Sequence, residues 1–146
     1  MSLTVQEIPL EQVYALRNLV LRPNQPISSC HYEEDQFEGV FHMGAFVEQD
    51  LKAIASFYPQ NHSKLDAQNP IRLRGMACDP CSQGQGLGTV LLRQSIAECQ
   101  YRGFDLLWCN ARTSAQQFYK RLDFAIKGNE FMLSGIGPHY LMYKAL

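Results

Sequence analysis

Glycine occupies positions 84, 86 and 88 of the stretch Gln83-Gly84-Gln85-Gly86-Leu87-Gly88, and an amphipathic run follows at once. Alternate glycines let a backbone curl with several N–H groups on its inner side. A helix that starts there adds its unpaired first-turn amides and the positive end of its dipole. The product is a cup for an anion, and a phosphate would fit it. Leu92, Ser95, Ile96, Cys99 and Gly103 lie along one side of the predicted helix, with Gly103 as its stop.

Upstream, Ile71 to Cys78 reads as a strand with Ile71, Leu73, Gly75 and Ala77 on one face and Arg72, Arg74 and Met76 on the other. Downstream, Leu106 to Cys109 reads as a short buried strand. A strand–loop–helix–strand crossover makes those two strands parallel. Before this unit, Leu3 to Ile8 is predicted as a strand and Glu11 to Leu21 as a helix, with Val13, Leu16, Leu19 and Val20 at helical spacing and Tyr14 and Arg17 toward another side. Val40 to Val47 and Leu51 to Tyr58 form a predicted hairpin about Glu48-Gln49-Asp50. After the unit, Thr113 or Ser114 caps a second helix through a box with Gln116 or Gln117, and its buried stripe is Ala115, Phe118 and Leu122. Strand pieces at Ala125–Lys127, Phe131–Leu133 and Tyr140–Lys144 close the chain.

At 146 residues this order fits one domain spanning 1–146. The net charge of -1 comes from scattered rather than clustered basic residues, which gives no footprint for nucleic acid. No apolar run is long enough for a membrane span, and the N-terminal stretch lacks the pattern of a signal peptide. The expected location is the cytoplasm, where the five cysteines would be reduced thiols. Cys78-Asp79-Pro80-Cys81 has the C-x-x-C spacing of zinc and redox sites. Zinc requires four ligands, however, and His62 and Cys99 form no second pair of suitable spacing. A redox pair would open a helix, whereas Pro80 sits in a turn before one. No metal is therefore expected.

The identity of the phosphate follows from patterns that do not match. A dinucleotide fingerprint reads G-x-G-x-x-G at a first strand–helix turn, whereas here G-x-G-x-G lies past the middle of the chain. A P-loop requires lysine before the hydroxyl residue, and Gly88-Thr89 has none. Gln83, Gly86 and Gly88 instead match R/Q-x-x-G-x-G/A, and Phe118-Tyr119-Lys120-Arg121-Leu122-Asp123-Phe124 follows at the right distance. In both motifs the chain resembles the GNAT superfamily of acyl-CoA-dependent N-acyltransferases, closely from about Leu73 to Phe124 and only in architecture before that. The resemblance implies an α/β fold of mixed α+β type: a mostly antiparallel central sheet with one splayed parallel strand pair, flanked by helices. Asp123 stands where that family usually has glycine.

The resemblance also implies roles. Acetyl-CoA would be the cosubstrate, its pyrophosphate held by Gln83, Gly84, Gln85, Gly86, Leu87, Gly88 and Thr89. Its pantetheine arm would run beside Met76, Ala77 and Cys78, with Asn110 and Phe118 as further cofactor contacts. Tyr119 matches the general acid. Many relatives carry a general base in the strand Ile71–Cys78, where this chain has no carboxylate, so Glu130 and His139 stand as base candidates, with His31 and Glu34 also chemically suitable. The acceptor would be a primary amine of a small molecule or peptide, taken by a monomer or homodimer. Glu34, within the acidic trio Glu33-Glu34-Asp35, would favour a cationic acceptor, and Arg74 an acidic group on it. The competing reading is an acyl-CoA-binding sensor without turnover.

Overall fold

The structure is a computed structural model and describes residues 2–146. Seven strands are hydrogen-bonded in the order β1-β2-β3-β4-β5-β7-β6: β1 Leu3–Ile8, β2 Phe41–Val47, β3 Asp50–Pro59, β4 Pro70–Cys78, β5 Leu106–Arg112, β6 Ala125–Leu133 and β7 Gly137–Ala145. Three α-helical segments accompany them: α1 Tyr14–Leu16, α2 Leu87–Tyr101 and α3 Gln116–Arg121. The chain groups into two compact units. The first holds residues 1–59 and 73–95, and the second holds 60–72 and 96–146. Among the described residues no helix is long and apolar enough to cross a membrane.

In the first unit, β1 and β2 pair antiparallel from Leu3↔Val47 to Ile8↔His42, and β2 pairs antiparallel with β3. The β2–β3 turn is tight because Glu48 takes a left-handed φ of 56°. Gly44 answers a packing demand, since a Cβ there would lie 2.7 Å from Leu51 Cδ1. Ile8, Val13, Leu16, Ile54 and Ala77 form the local core.

The predicted helix Glu11–Leu21 is not a uniform one. A 3-10 turn at Leu10–Gln12 leads through α1 into a π-helical stretch, Arg17–Leu21, closed by the Arg22 amide donating to Arg17 O at 3.0 Å. Arg17, which its spacing had assigned away from the apolar side, is fully buried. A charge can sit there because Asp35 comes to meet it, as described below.

In the second unit the crossover is parallel as expected, with Pro70–Arg72 in register with Leu106–Trp108. Both strands run on, β4 to Cys78 and β5 to Arg112. β5 and β6 each pair antiparallel with β7, and β6 carries an irregularity between Lys127 and Phe131 that explains its split sequence signal. Leu106, Trp108 and Leu141 pack with Leu65, Ala67, Phe131 and Tyr143.

Both principal helices end in the same way. At α2, Phe104 N donates to Cys99 O and Gly103 N to Gln100 O, with Gly103 at φ 91°. At α3, Phe124 N donates to Tyr119 O and Asp123 N to Lys120 O, with Asp123 at φ 69°. This is the Schellman arrangement, and Asp123 occupies the left-handed position without loss of its hydrogen bonds. The capping boxes predicted at Thr113 and Ser114 do not form. α3 begins without a side-chain cap, because the Thr113 hydroxyl donates to Glu130 Oε2 at 2.7 Å instead. Tyr119, rather than Phe118, is the α3 side chain that is buried.

Candidate active site

The glycine loop is built as its sequence demands. β4 ends at Cys78, the Asp79 amide donates to Lys52 O at 2.7 Å, and the Asp79 carboxylate accepts from Cys81 N at 2.9 Å, starting a 3-10 turn at Pro80–Ser82. Gly84 and Gly86 then take φ of 83° and 77°, conformations that cost L-residues energy. A Cβ at either would meet nothing within 4 Å, so the glycines serve backbone shape and leave the space above them open. The first helical bond, Val90 N to Gly86 O at 3.1 Å, leaves the amides of Leu87, Gly88 and Thr89 without backbone acceptors among the described residues. No acidic residue lies in the first turn of α2. Open space, free donors and a helix N-terminus without a carboxylate fit the pyrophosphate of a coenzyme A.

Met76, Ala77 and Cys78 lie on β4 in the same unit as this loop. Burial, with a smaller contribution from Asp79, pushes the Cys78 thiol upward, so it is a neutral thiol at pH 7 rather than a nucleophile. All five cysteines are free, and among the described residues no group of three or more His, Cys, Asp or Glu is placed to hold a metal.

The second unit holds the acid and base candidates. Tyr119 is 8% exposed, and its ring meets Phe118 and Phe124 edge-on at 5.1 and 5.4 Å. Burial holds the Tyr119 hydroxyl well above its ordinary value, with the neighbouring Cys109 sulfur as hydrogen-bond partner adding to the effect. Cys109 is itself pushed up to about 12 by burial. Tyr119 therefore keeps its proton at neutral pH, as a general acid must.

His139, on β7, is 4% exposed and lies opposite Phe131 in the β6 register, the rings 6.0 Å apart. Its Nδ1 is 2.8 Å from Gly137 O. A carbonyl only accepts, so Nδ1 carries a hydrogen and donates it to Gly137 O, while Nε2 has no protein partner among the described residues. Glu130 is exposed and engaged by Thr113. Asn110 Oδ1 is buried and has no hydrogen-bond partner among the described residues, which is costly for an acceptor.

A polar cluster in the first unit was not legible from local pattern. Arg17 Nη1 and Nη2 donate to Asp35 at 2.7 and 3.1 Å, and Nη1 also donates to Cys30 O. Nη2 reaches Ser56 Oγ at 2.9 Å and Tyr58 Oη at 3.1 Å, and the Tyr58 hydroxyl donates to Asp35 Oδ1 at 2.6 Å. Ser56 in turn faces His42 Nδ1 at 2.7 Å. Burial, and then the Arg17 charge, lower His42, which is neutral at pH 7. Of the acidic trio, Asp35 serves Arg17, Glu34 accepts from Arg74 at 3.0 Å, and Glu33 is exposed, so two of the three are already matched to arginines. Arg72 lies over the Trp108 ring at 5.0 Å. His31 is stacked on Tyr14, 4.0 Å apart and within 2° of parallel.

Comparison with known proteins places the chain in a family. Residues 10–124 match the model of the acetyltransferase (GNAT) family. The N-acetyltransferase YitI of Bacillus subtilis, itself uncharacterized, is 39% identical over 144 residues, 99% of this chain and 97% of that one. In fold, the ribosomal-protein-S18-alanine N-acetyltransferase of Escherichia coli superposes with a TM-score of 0.76 at 19% identity, covering 99% of this chain and 94% of that one. An aminoglycoside 6'-N-acetyltransferase solved with coenzyme A gives a TM-score of 0.77 at 16% identity, covering 97% and 96%. With a family model matching residues 10–124 and a relative 39% identical along nearly its whole length, the chain belongs to the GNAT family and is an acyl-CoA-dependent acetyltransferase.

Proposed function

We propose that the chain transfers the acetyl group of acetyl-CoA directly to a primary amine of a small molecule or peptide. The observation that carries this reading is the glycine loop, whose left-handed Gly84 and Gly86 open onto the free amides of Leu87, Gly88 and Thr89. Acetyl-CoA, when bound, supplies an activated thioester. Everything else is asked of the protein's own groups. The loop amides hold the pyrophosphate, and β4 residues Met76 to Cys78 offer backbone to the pantetheine arm. Phe118 offers that arm apolar surface, and Asn110 Oδ1 accepts one of its N–H groups or one from the acceptor.

His139 takes the proton that the attacking nitrogen must lose, because the Nδ1 contact to Gly137 O fixes the ring and leaves Nε2 as the nitrogen free of a protein partner among the described residues. Glu130, hydrogen-bonded to Thr113 and open to water, is the weaker of the two base candidates. Tyr119 gives its proton to the departing sulfur, its hydroxyl raised further above its ordinary value by burial. No cysteine nucleophile is required, in keeping with the raised Cys78 thiol. The test is release of free CoA thiol from acetyl-CoA across a panel of primary amines, with products weighed by mass spectrometry. Amine-dependent release with a product heavier by one acetyl group is expected. Saturable acetyl-CoA binding with no amine-dependent release would assign the protein as a sensor instead.

A further inference from the structure

Three guanidinium groups gather on one aromatic ring of the first unit. Arg17 Cζ lies 4.1 Å from the Tyr32 centroid, Arg74 Cζ 4.3 Å and Arg22 Cζ 5.4 Å. Like charges so close repel unless each is matched. Asp35 matches Arg17 through two hydrogen bonds, and Glu34 matches Arg74. Arg22 has no carboxylate at ion-pair distance among the described residues, so three cations face two anions here.

Arg22 is also set in place by its backbone. Its amide closes the π-helical stretch on Arg17 O at 3.0 Å. Asn18 Nδ2 donates to Arg22 O at 3.0 Å and to Gln25 O at 2.9 Å, clamping the turn through Pro23. Arg22 itself is half-buried, so its planar fork stands over an aromatic face with donors to spare.

We propose that Arg22, over Tyr32, selects an acceptor amine that carries an oxyanion, a carboxylate or a phosphate monoester, on the same molecule. The proposal rests on the amine-acetylation reading above. A guanidinium fork pairs with either oxyanion through two parallel hydrogen bonds, and the missing negative charge of the cluster is then supplied by substrate. Arg74, held by Glu34, borders the site, and Tyr32 supplies its wall.

The test has two readouts. In the first, side-chain NMR of the full-length protein follows the Arg74 and Tyr32 resonances during titration with β-alanine or phosphoethanolamine, and with β-alaninamide or ethanolamine as counterparts lacking the oxyanion. A saturable shift is expected with an oxyanionic member, absent with its counterpart and lost in Arg22→Gln. Whether β-alanine or phosphoethanolamine produces it tells carboxylate from phosphate. No saturable shift, or equal shifts from the counterparts, overturns the proposal. In the second readout, kcat/KM for an oxyanionic amine falls about tenfold or more in Arg22→Gln, with the rate on its counterpart and the KM for acetyl-CoA held. Equal loss on both amines also overturns it. If the titration saturates but no amine is acetylated, the anion site stands and it is the acetyl-transfer reading that fails.

Discussion

Arg17 and Asp35, 18 residues apart in the chain, meet in a two-point ion pair with 0% and 1% of their side chains exposed. Two ions withdrawn from water are each costly, and only their mutual match, with Cys30 O, Ser56 and Tyr58 satisfying further donors and acceptors, makes the site tenable. The pair ties the first helical segment to the 3-10 turn at Glu33–Gln36, and so to the backbone that carries Tyr32.

Breaking one side of this pair is expected to cost about 3–5 kcal/mol, because the other charge is left buried and alone. Asp35→Asn, measured by urea unfolding, tests this, and the double replacement Arg17→Met with Asp35→Leu should recover part of the loss. The pH dependence has a definite sign. Burial alone would raise Asp35, but hydrogen bonds from Arg17 and Tyr58 outweigh it and hold the carboxyl below its ordinary 3.8. Its contribution is thus fully present above that value and is lost as pH falls through the lower, folded-state value. Unfolding curves of the wild type between neutral and acid pH should show a loss that Asp35→Asn lacks.

Gly84 and Gly128 have nearly the same φ, 83° and 82°, and each would present an added Cβ to open space. Alanine at either site should therefore cost a similar amount of stability, about 1–2 kcal/mol, through backbone strain alone. Only Gly84→Ala should also weaken coenzyme A binding, by about tenfold, because only that backbone belongs to the loop proposed to hold the pyrophosphate. Calorimetric titration with coenzyme A separates the two, and equal affinities would remove the loop from the binding site.

Tyr119→Phe is expected to lower kcat by about a hundredfold with little change in acetyl-CoA affinity, since it removes a proton donor and little of the packing against Phe118 and Phe124. His139→Gln should have a comparable effect, and Glu130→Gln should leave kcat within about twofold. A large loss in Glu130→Gln with His139→Gln unaffected would reverse the choice of base.

Asp123→Gly should raise the melting temperature, by an amount equivalent to about 0.5–1 kcal/mol, because a glycine at the left-handed position carries no Cβ penalty. Gly103 already fills the matching position at the end of α2. A thermal scan checks it, and a lowered melting temperature would mean that the Asp123 side chain has a stabilising role of its own.

Features set by neighbours in the chain were legible in the residues alone. The glycine loop, the α2 stripe with its Gly103 stop, the β2–β3 hairpin and the parallel β4–β5 crossover follow from 3.6- and 2-residue periodicity and from turn chemistry, which act over a few positions. The GNAT pattern belongs with them because a pyrophosphate cup needs contiguous backbone. What required the tertiary structure was every group whose state depends on a partner far along the chain. Arg17 sits four residues after the core residue Val13, and that spacing does not say whether a carboxylate will come to meet it. The upward shift of Tyr119 comes from burial beside Cys109 on β5, and Arg74 but not Arg22 is matched by Glu34. Sequence determined the glycine loop that is proposed to hold the cofactor's phosphates. Folding decided which hydroxyl, which ring nitrogen and which cation are left available for the proposed roles, because availability depends on what each group's distant neighbours leave unmatched.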